Sequence, residues 1–172
     1  MLDKIPSDRA TAIIEISPDH DLLPDGGVLM TGERWDLQGG LSYGLPGGGI
    51  DPGESAEAAL ERELWEELRL RVVGLVRLET RLVRGRLHHV FGVQAEGEIS
   101  LHEWELFGVQ AFAGGSRLNP LKGHVAPILL GPEGYLRTHR TQLRPHILST
   151  RLHIPSRIIA PPQAPLHSFW TF

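Results

Sequence analysis

The chain has 172 residues, of which 41% are apolar and 22% charged, a size that supports one core better than two of under about a hundred residues each. It has no cysteine, which excludes disulfide scaffolds, thiolate zinc sites, iron–sulfur clusters and cysteine nucleophiles, and leaves catalysis to oxygen, nitrogen or a metal. The net charge of −4 divides unevenly: residues 1–133 carry all 21 acids against 12 basic residues, and residues 134–172 carry five arginines and no acid. The acidic body therefore disfavours nucleic acid as a partner and needs a metal ion or a local basic patch to handle phosphate.

The opening Met-Leu-Asp-Lys-Ile-Pro-Ser-Asp lacks the cationic and apolar regions of a signal peptide. No apolar run approaches the ~20 residues of a membrane span, so the expected compartment is the cytoplasm, with no membrane partner. Residues 10–16 are β-branched and apolar and read as a strand, followed by a turn-rich stretch from Pro18 to Gly27 and a returning partner at Val28 to Met30. Leu41 to Leu45 reads as a short strand that stops at Pro46-Gly47-Gly48-Gly49, where glycines permit positive backbone angles and close approach of a ligand. Asp51 to Ser55 then carries helix-start chemistry, and Ala56 to Leu68 is rich in strong helix formers with Leu60, Leu64 and Leu68 as its core stripe. Strands are expected at Val72-Val73, Leu75 to Leu78, Arg86 to Gln94 and Trp104 to Phe112, with a turn at Glu96-Gly97-Glu98 and a short helix near Val125 to Leu130. A helix flanked by strands implies an α/β layered domain.

Glu63, Glu66 and Glu67 lie three and four residues apart on that helix, on one face. Like charges so placed destabilise a bare helix, and a divalent cation relieves the cost; oxygen-only ligands favour Mg²⁺ or Mn²⁺ over zinc. Standing alone, such a cluster reads more readily as a solvated acidic face. The surrounding stretch changes that balance, because Gly48, Glu54, Arg62-Glu63, Leu64, Glu66-Glu67 and Leu70 resemble the Nudix box of the Nudix hydrolases, with Arg69 in place of the final glycine. Six matches of glycine or charged type at fixed offsets arise by chance in about one chain of this length in a hundred thousand, so the resemblance outweighs the solvated-face reading.

The resemblance implies an α/β/α sandwich with a mixed sheet, a domain over residues 1–133, and residues 134–172 as a basic, proline-containing extension. It implies a pyrophosphohydrolase that uses Mg²⁺, or Mn²⁺, to cleave a small-molecule diphosphate: a nucleoside diphosphate derivative, a nucleoside di- or triphosphate, or a dinucleoside or inositol polyphosphate. Glu63, Glu66 and Glu67 match the family's metal-binding glutamates, Gly47, Gly48 and Gly49 its substrate-side loop, and Arg62 with Glu54 the pair that ties loop to helix. Glu103-Trp104 resembles the Glu-Trp after the long loop in several branches, where a glutamate acts as general base; Glu96 and Glu98 compete for that role. His88 and His89, adjacent on a strand, point to opposite faces, so only one can enter a site. Arg86, sixteen beyond the box, is neither the proline nor the tyrosine that marks two of the branches, and His88-His89-Val90-Phe91 with Glu103-Trp104 loosely resembles the polyphosphate-cleaving branches.

Two other readings stand beside this one. A nucleotide sensor of the same fold that does not hydrolyse would usually have lost box glutamates, and an interaction protein would carry the box as a vestige. The extension is read as a tail, a segment folded over the body, or a contact in a homodimer. Its prolines argue against one long helix, and Ile147-Leu148 and Ile158-Ile159 are too apolar for a plain linker.

Overall fold

A computed structural model describes residues 7–16, 27–34, 40–102, 106–112, 121–130, 134–138 and 151–158. The elements run β1 (Arg9–Ile13), β2 (Glu15–Ile16), β3 (Gly27–Arg34), β4 (Leu41–Gly44), α1 (Ala56–Leu68), β5 (Arg71–Val83), β6 (Arg86–Glu98), β7 (Gly108–Phe112), a π-helical turn (Ala126–Leu130), α2 (Tyr135–Thr138) and β8 (Arg151–His153). One sheet has the order β1-β6-β5 with β8 also on β6, and the other β2-β3-β4 with β7 also on β3. Because β1 and β8 run parallel to β6 while β5 is antiparallel to it, the first sheet is mixed.

The apolar stretch 10–16 proves to be two strands. β1 pairs with β6, whereas β2 turns to the second sheet and pairs antiparallel with β3, Glu15 opposite Val28. Both sides of β1 are buried, since Ala10 and Ala12 join the core under α1 and Ile13 joins the opposite core with Val90, Tyr43 and Ile128. Helices therefore cover both sides of the strands, which gives the α/β/α arrangement.

Helix α1 forms where propensity, cap and stripe agree. Ser55 has extended backbone and its hydroxyl accepts from the Ala58 amide, while Leu60, Leu64 and Leu68 are wholly buried. Each such leucine contributes roughly 1.5–3 kcal/mol by burial. The helix ends at Arg69, whose backbone is left-handed (φ 59°) and whose amide turns back to the carbonyls of Leu64 and Trp65. The arginine thus takes the conformation that glycine favours at this point.

The turn expected at Glu96-Gly97-Glu98 is not one. β6 continues through Glu98 because Glu96, Gly97 and Glu98 pair with Arg151, Leu152 and His153 of β8, and Gly97 supplies the positive φ of 131° that the path needs. Segments beyond residue 133 enter the body's cores, with Ile154 buried in the core under α1 and Tyr135 in the opposite one. Among the described residues no helix is long and apolar enough to cross a membrane.

Candidate active site

The loop before α1 is fastened to β1 like a further strand. Ala10 and Ala12 donate to the carbonyls of Gly48 and Pro46, and Ile50 donates to that of Asp8. Two glycines allow this closeness. Gly47 has φ 123° and a side chain there would overlap the Ala10 carbonyl; at Gly48 it would overlap the Glu63 carboxylate. The loop backbone and the helix carboxylates therefore touch without an intervening side chain.

Arg62 organises the charges. Its Nε and Nη2 donate to the two Glu54 oxygens at 3.0 Å each, a bidentate pair, and Nη2 also reaches the Gly49 carbonyl at 3.0 Å. Nη1 donates to Glu63 Oε1 at 2.9 Å and to Glu66 Oε2 at 3.3 Å. One guanidinium thus joins loop, helix start and two of the box glutamates, which is the use that its planar fork suits. Glu54 is held below the usual carboxylate range, first by the Arg62 hydrogen bond and then by the Asp51 amide.

Glu63 lies close enough to Glu67 for their charges to repel, and Glu66, which shares Arg62 with Glu63, has 57% of its side chain exposed. Burial pushes the Glu67 carboxyl up to about 7, and the neighbouring Glu63 charge pushes it the same way, against the charge of Arg9 and a hydrogen bond from the Gly47 amide. Glu33, at the end of β3, adds further repulsion. A half-buried carboxylate beside a second one is a hard-oxygen donor set that a divalent cation would relieve. Among the described residues no three acids or histidines already converge on one metal position, and Glu63 and Glu66 would both have to share with Arg62 any oxygen they offered a cation.

Among the competing bases, Glu96 is ion-paired with Arg71 on the sheet surface, Glu98 is exposed at the end of β6, and Glu103 with Trp104 lies outside the described residues. The two histidines point to opposite faces. His89 contacts Arg77 at 3.0 Å and Asp8 at 3.9 Å on the outer side, while His88 is 4% exposed, bonds Thr11 Oγ1 at 3.0 Å and stacks on His124 with ring centres 5.3 Å apart. The Leu45 amide donates to His124 Nε2 at 3.2 Å, which fixes the ring proton on Nδ1 when the ring is neutral. Burial first and the Arg9 charge second lower His88 to about 4 and His124 to about 3.

Sequence reading passed over several residues here. Arg9 donates to the Gly47 carbonyl, and with Arg84, Arg86, Lys122, His88 and His124 it lines a cleft of about 340 Å³. Lys122 is ion-paired with Glu33. The one local signal was the Arg84-Gly85 pair between two strands: Val83 pairs with Arg86, leaving a two-residue turn with φ 51° and 77°, where glycine or asparagine is the usual first residue. Holding an arginine there costs on the order of 1 kcal/mol.

A family model for the NUDIX domain matches residues 8–121. Two curated RNA pyrophosphohydrolases, from Klebsiella pneumoniae (strain 342) and Escherichia fergusonii, are each 37% identical over 70 residues, which cover 38% of this chain and 37% of theirs. The likeness thus spans little more than a third of those relatives. A crystal structure of a Nudix hydrolase family member from Chromobacterium violaceum aligns with a TM-score of 0.50 at 32% identity, over 64% of this chain and 65% of that one. The MutT NUDIX hydrolase from Burkholderia pseudomallei aligns with a TM-score of 0.53 at 22% identity, over 70% and 93%, a likeness of fold alone. Since the family match takes in more than half of the residues, the chain belongs to the Nudix family.

Proposed function

We propose that this chain is a pyrophosphohydrolase that cleaves a phosphoric anhydride in a small-molecule diphosphate, with Mg²⁺ or Mn²⁺ as its cofactor. The observation that carries the reading is the pair Glu63 and Glu67, set side by side against Gly47 and Gly48 with Glu67 half-buried and its carboxyl pushed up to about 7. Two carboxylates there repel a diphosphate. A divalent cation bound by Glu63 and Glu67, with Glu66 in reserve, would neutralise the diphosphate oxygens and make a water a better nucleophile.

The chain's own residues do the rest. Arg62 fixes Glu63 and Glu54 and so holds the helix against the loop. Gly47 to Gly49 let the substrate approach the backbone. The water attacks one phosphorus in line, the bond to the leaving phosphate breaks, and the water's proton passes to a base, for which Glu103 is our first candidate and Glu98 the second, Glu96 being engaged by Arg71. The name pyrophosphohydrolase borne by the curated relatives supports the reaction class; the substrate has to be read from this chain.

The test is phosphate release from nucleotides, nucleotide sugars, dinucleoside polyphosphates and inositol pyrophosphates, with Mg²⁺, with Mn²⁺ and with chelator. Release that needs the cation and falls at least a hundredfold in a folded Glu67→Gln variant is the expected result. A folded protein that releases nothing with either cation refutes the proposal.

A further inference from the structure

The cleft beside the box is built from three separate stretches of the chain: Arg9 at the start of β1, Arg84, Arg86 and His88 around the turn from β5 into β6, and Lys122 with His124, whose ring stacks on His88. Of its four permanent cations, Lys122 is ion-paired with Glu33 and the Arg9 charge acts on Glu67, while among the described residues Arg84 and Arg86 have no acidic partner within ion-pair distance. Gathering like charges in this way is unfavourable unless an anion completes the set.

Two glycines leave room for these side chains. Arg84 takes a left-handed conformation that most turns give to glycine or asparagine. Its guanidinium lies against Gly123, where a Cβ would come 2.5 Å from Cζ, and the Lys122 stem lies against Gly44, where a Cβ would come 2.7 Å from Cδ. Arg84 itself is exposed. Arg9 belongs to both regions, since it lines the cleft and also bonds the Gly47 carbonyl in the box loop. The histidines are neutral near pH 7, lowered to about 4 and about 3, and so present a polar, uncharged wall. The cleft volume of about 340 Å³ lies in the ~300–1,000 Å³ range of small-ligand sites.

We propose that the cleft is an anion subsite for phosphates beyond the scissile diphosphate, so that the chain prefers small molecules with three or more phosphates in a row to diphosphates joined to an uncharged group. Guanidinium forks suit the paired oxygens of successive phosphates. This deepens the pyrophosphohydrolase reading, and its kinetic arm rests on that reading while its binding arm does not.

The binding arm uses calorimetry on the full chain without divalent cation. Inorganic tripolyphosphate should bind at least tenfold more tightly than pyrophosphate; equal affinities overturn the subsite. Because glycine suits the backbone at 84, Arg84→Gly should melt no lower than the parent yet lose tripolyphosphate affinity at least fivefold, and unchanged affinity in Arg84→Gly/Arg86→Gln overturns the proposal. In the kinetic arm, the ratio of kcat/KM for diadenosine tetraphosphate to that for ADP-ribose should fall tenfold in the double variant, through KM, and hold in Arg77→Ala, outside the cleft. Hydrolysis with an unchanged ratio overturns the subsite alone. If no anhydride is cleaved but the binding results hold, the subsite stands and the enzyme reading fails. A 5′-triphosphorylated oligonucleotide that binds tenfold more tightly than tripolyphosphate, through Arg84 and Arg86, overturns the small-molecule assignment.

Discussion

Two charged regions meet at Arg9, and they are stabilised in opposite ways. The acidic one comes from a short contiguous stretch, Gly47 to Glu67, in which one cation, Arg62, spans Glu54, Glu63 and Glu66. The basic one is assembled from residues between 9 and 124, and two of its arginines have no carboxylate among the described residues. The first is a motif whose geometry helix periodicity supplies; the second exists only once the sheet has formed. Their titrating groups also respond to pH in opposite directions.

The largest expected effect lies on the acidic side. Glu67→Gln should lower turnover at least a hundredfold by removing a ligand candidate. Its stability effect has the other sign. Glu67 is raised from 4.5 to about 7 in the folded chain, so its contribution is fully present below pH 4.5 and is lost as pH rises through 7. Metal-free parent protein should therefore lose melting temperature between pH 5 and 8, the glutamine variant less so, and Mg²⁺ should restore the parent at pH 8. If the variant kept the parent's slope, Glu67 would not be the group responsible.

Arg62→Ala comes next. It removes the pair to Glu54 together with bonds to Glu63, Glu66 and Gly49, and it leaves carboxylates facing one another. A loss of about 2 kcal/mol in denaturant unfolding is expected, given partial exposure, and Arg62→Lys should recover under half of it because an ammonium cannot span both Glu54 oxygens. Full recovery by lysine would reduce the comparison to one of net charge.

The basic side gives a smaller effect in acid. His88 and His124 are lowered from 6.5 to about 4 and about 3, chiefly by burial. Stability from them is complete above pH 6.5 and is lost as pH falls toward those values. His88→Gln should flatten that acid limb in a melting series from pH 6.5 to 4 while leaving the alkaline limb of Glu67 as it was. A change in both limbs would mean that the regions titrate as one.

The two regions also differ in how far they can be read from sequence. Helix α1 runs Ala56–Leu68, the bounds its composition predicts, because formers, a serine cap and a leucine every fourth residue agree locally. The α/β layering follows from strands on either side of that helix. Pairing did not follow: that stretch 10–16 divides between two sheets, and that Gly97 continues β6 against β8, depends on partners far along the chain. His88 drew attention as a strand histidine, yet nothing local indicates that His124 stacks on it or that Arg9 stands opposite it in register. The site's contiguous half is legible because its spacing is helical, and the cleft is not because its spacing is tertiary.

The smallest effect separates two arginines with the same backbone. Among the described residues Arg69 and Arg84 are the non-glycines with positive φ, at 59° and 51°. Arg69 sits where the family's glycine ends the helix, and its side chain compensates locally: the guanidinium lies 5.5 Å from the Trp65 ring centre and reaches the Trp65 carbonyl at 3.4 Å. Replacing it with glycine relieves about 1 kcal/mol of left-handed strain but forfeits a cation–π contact of about 0.5 kcal/mol and adds unfolded-state entropy. The net change should be within about 0.5 kcal/mol of zero, with turnover intact, because no ligand is touched. Arg84 has no such aromatic or carbonyl partner among the described residues, so Arg84→Gly should stabilise more than Arg69→Gly in paired denaturant titrations. If Arg69→Gly stabilised as much, the left-handed backbone at 84 would be ordinary helix-end and turn chemistry, with no cost particular to the cleft.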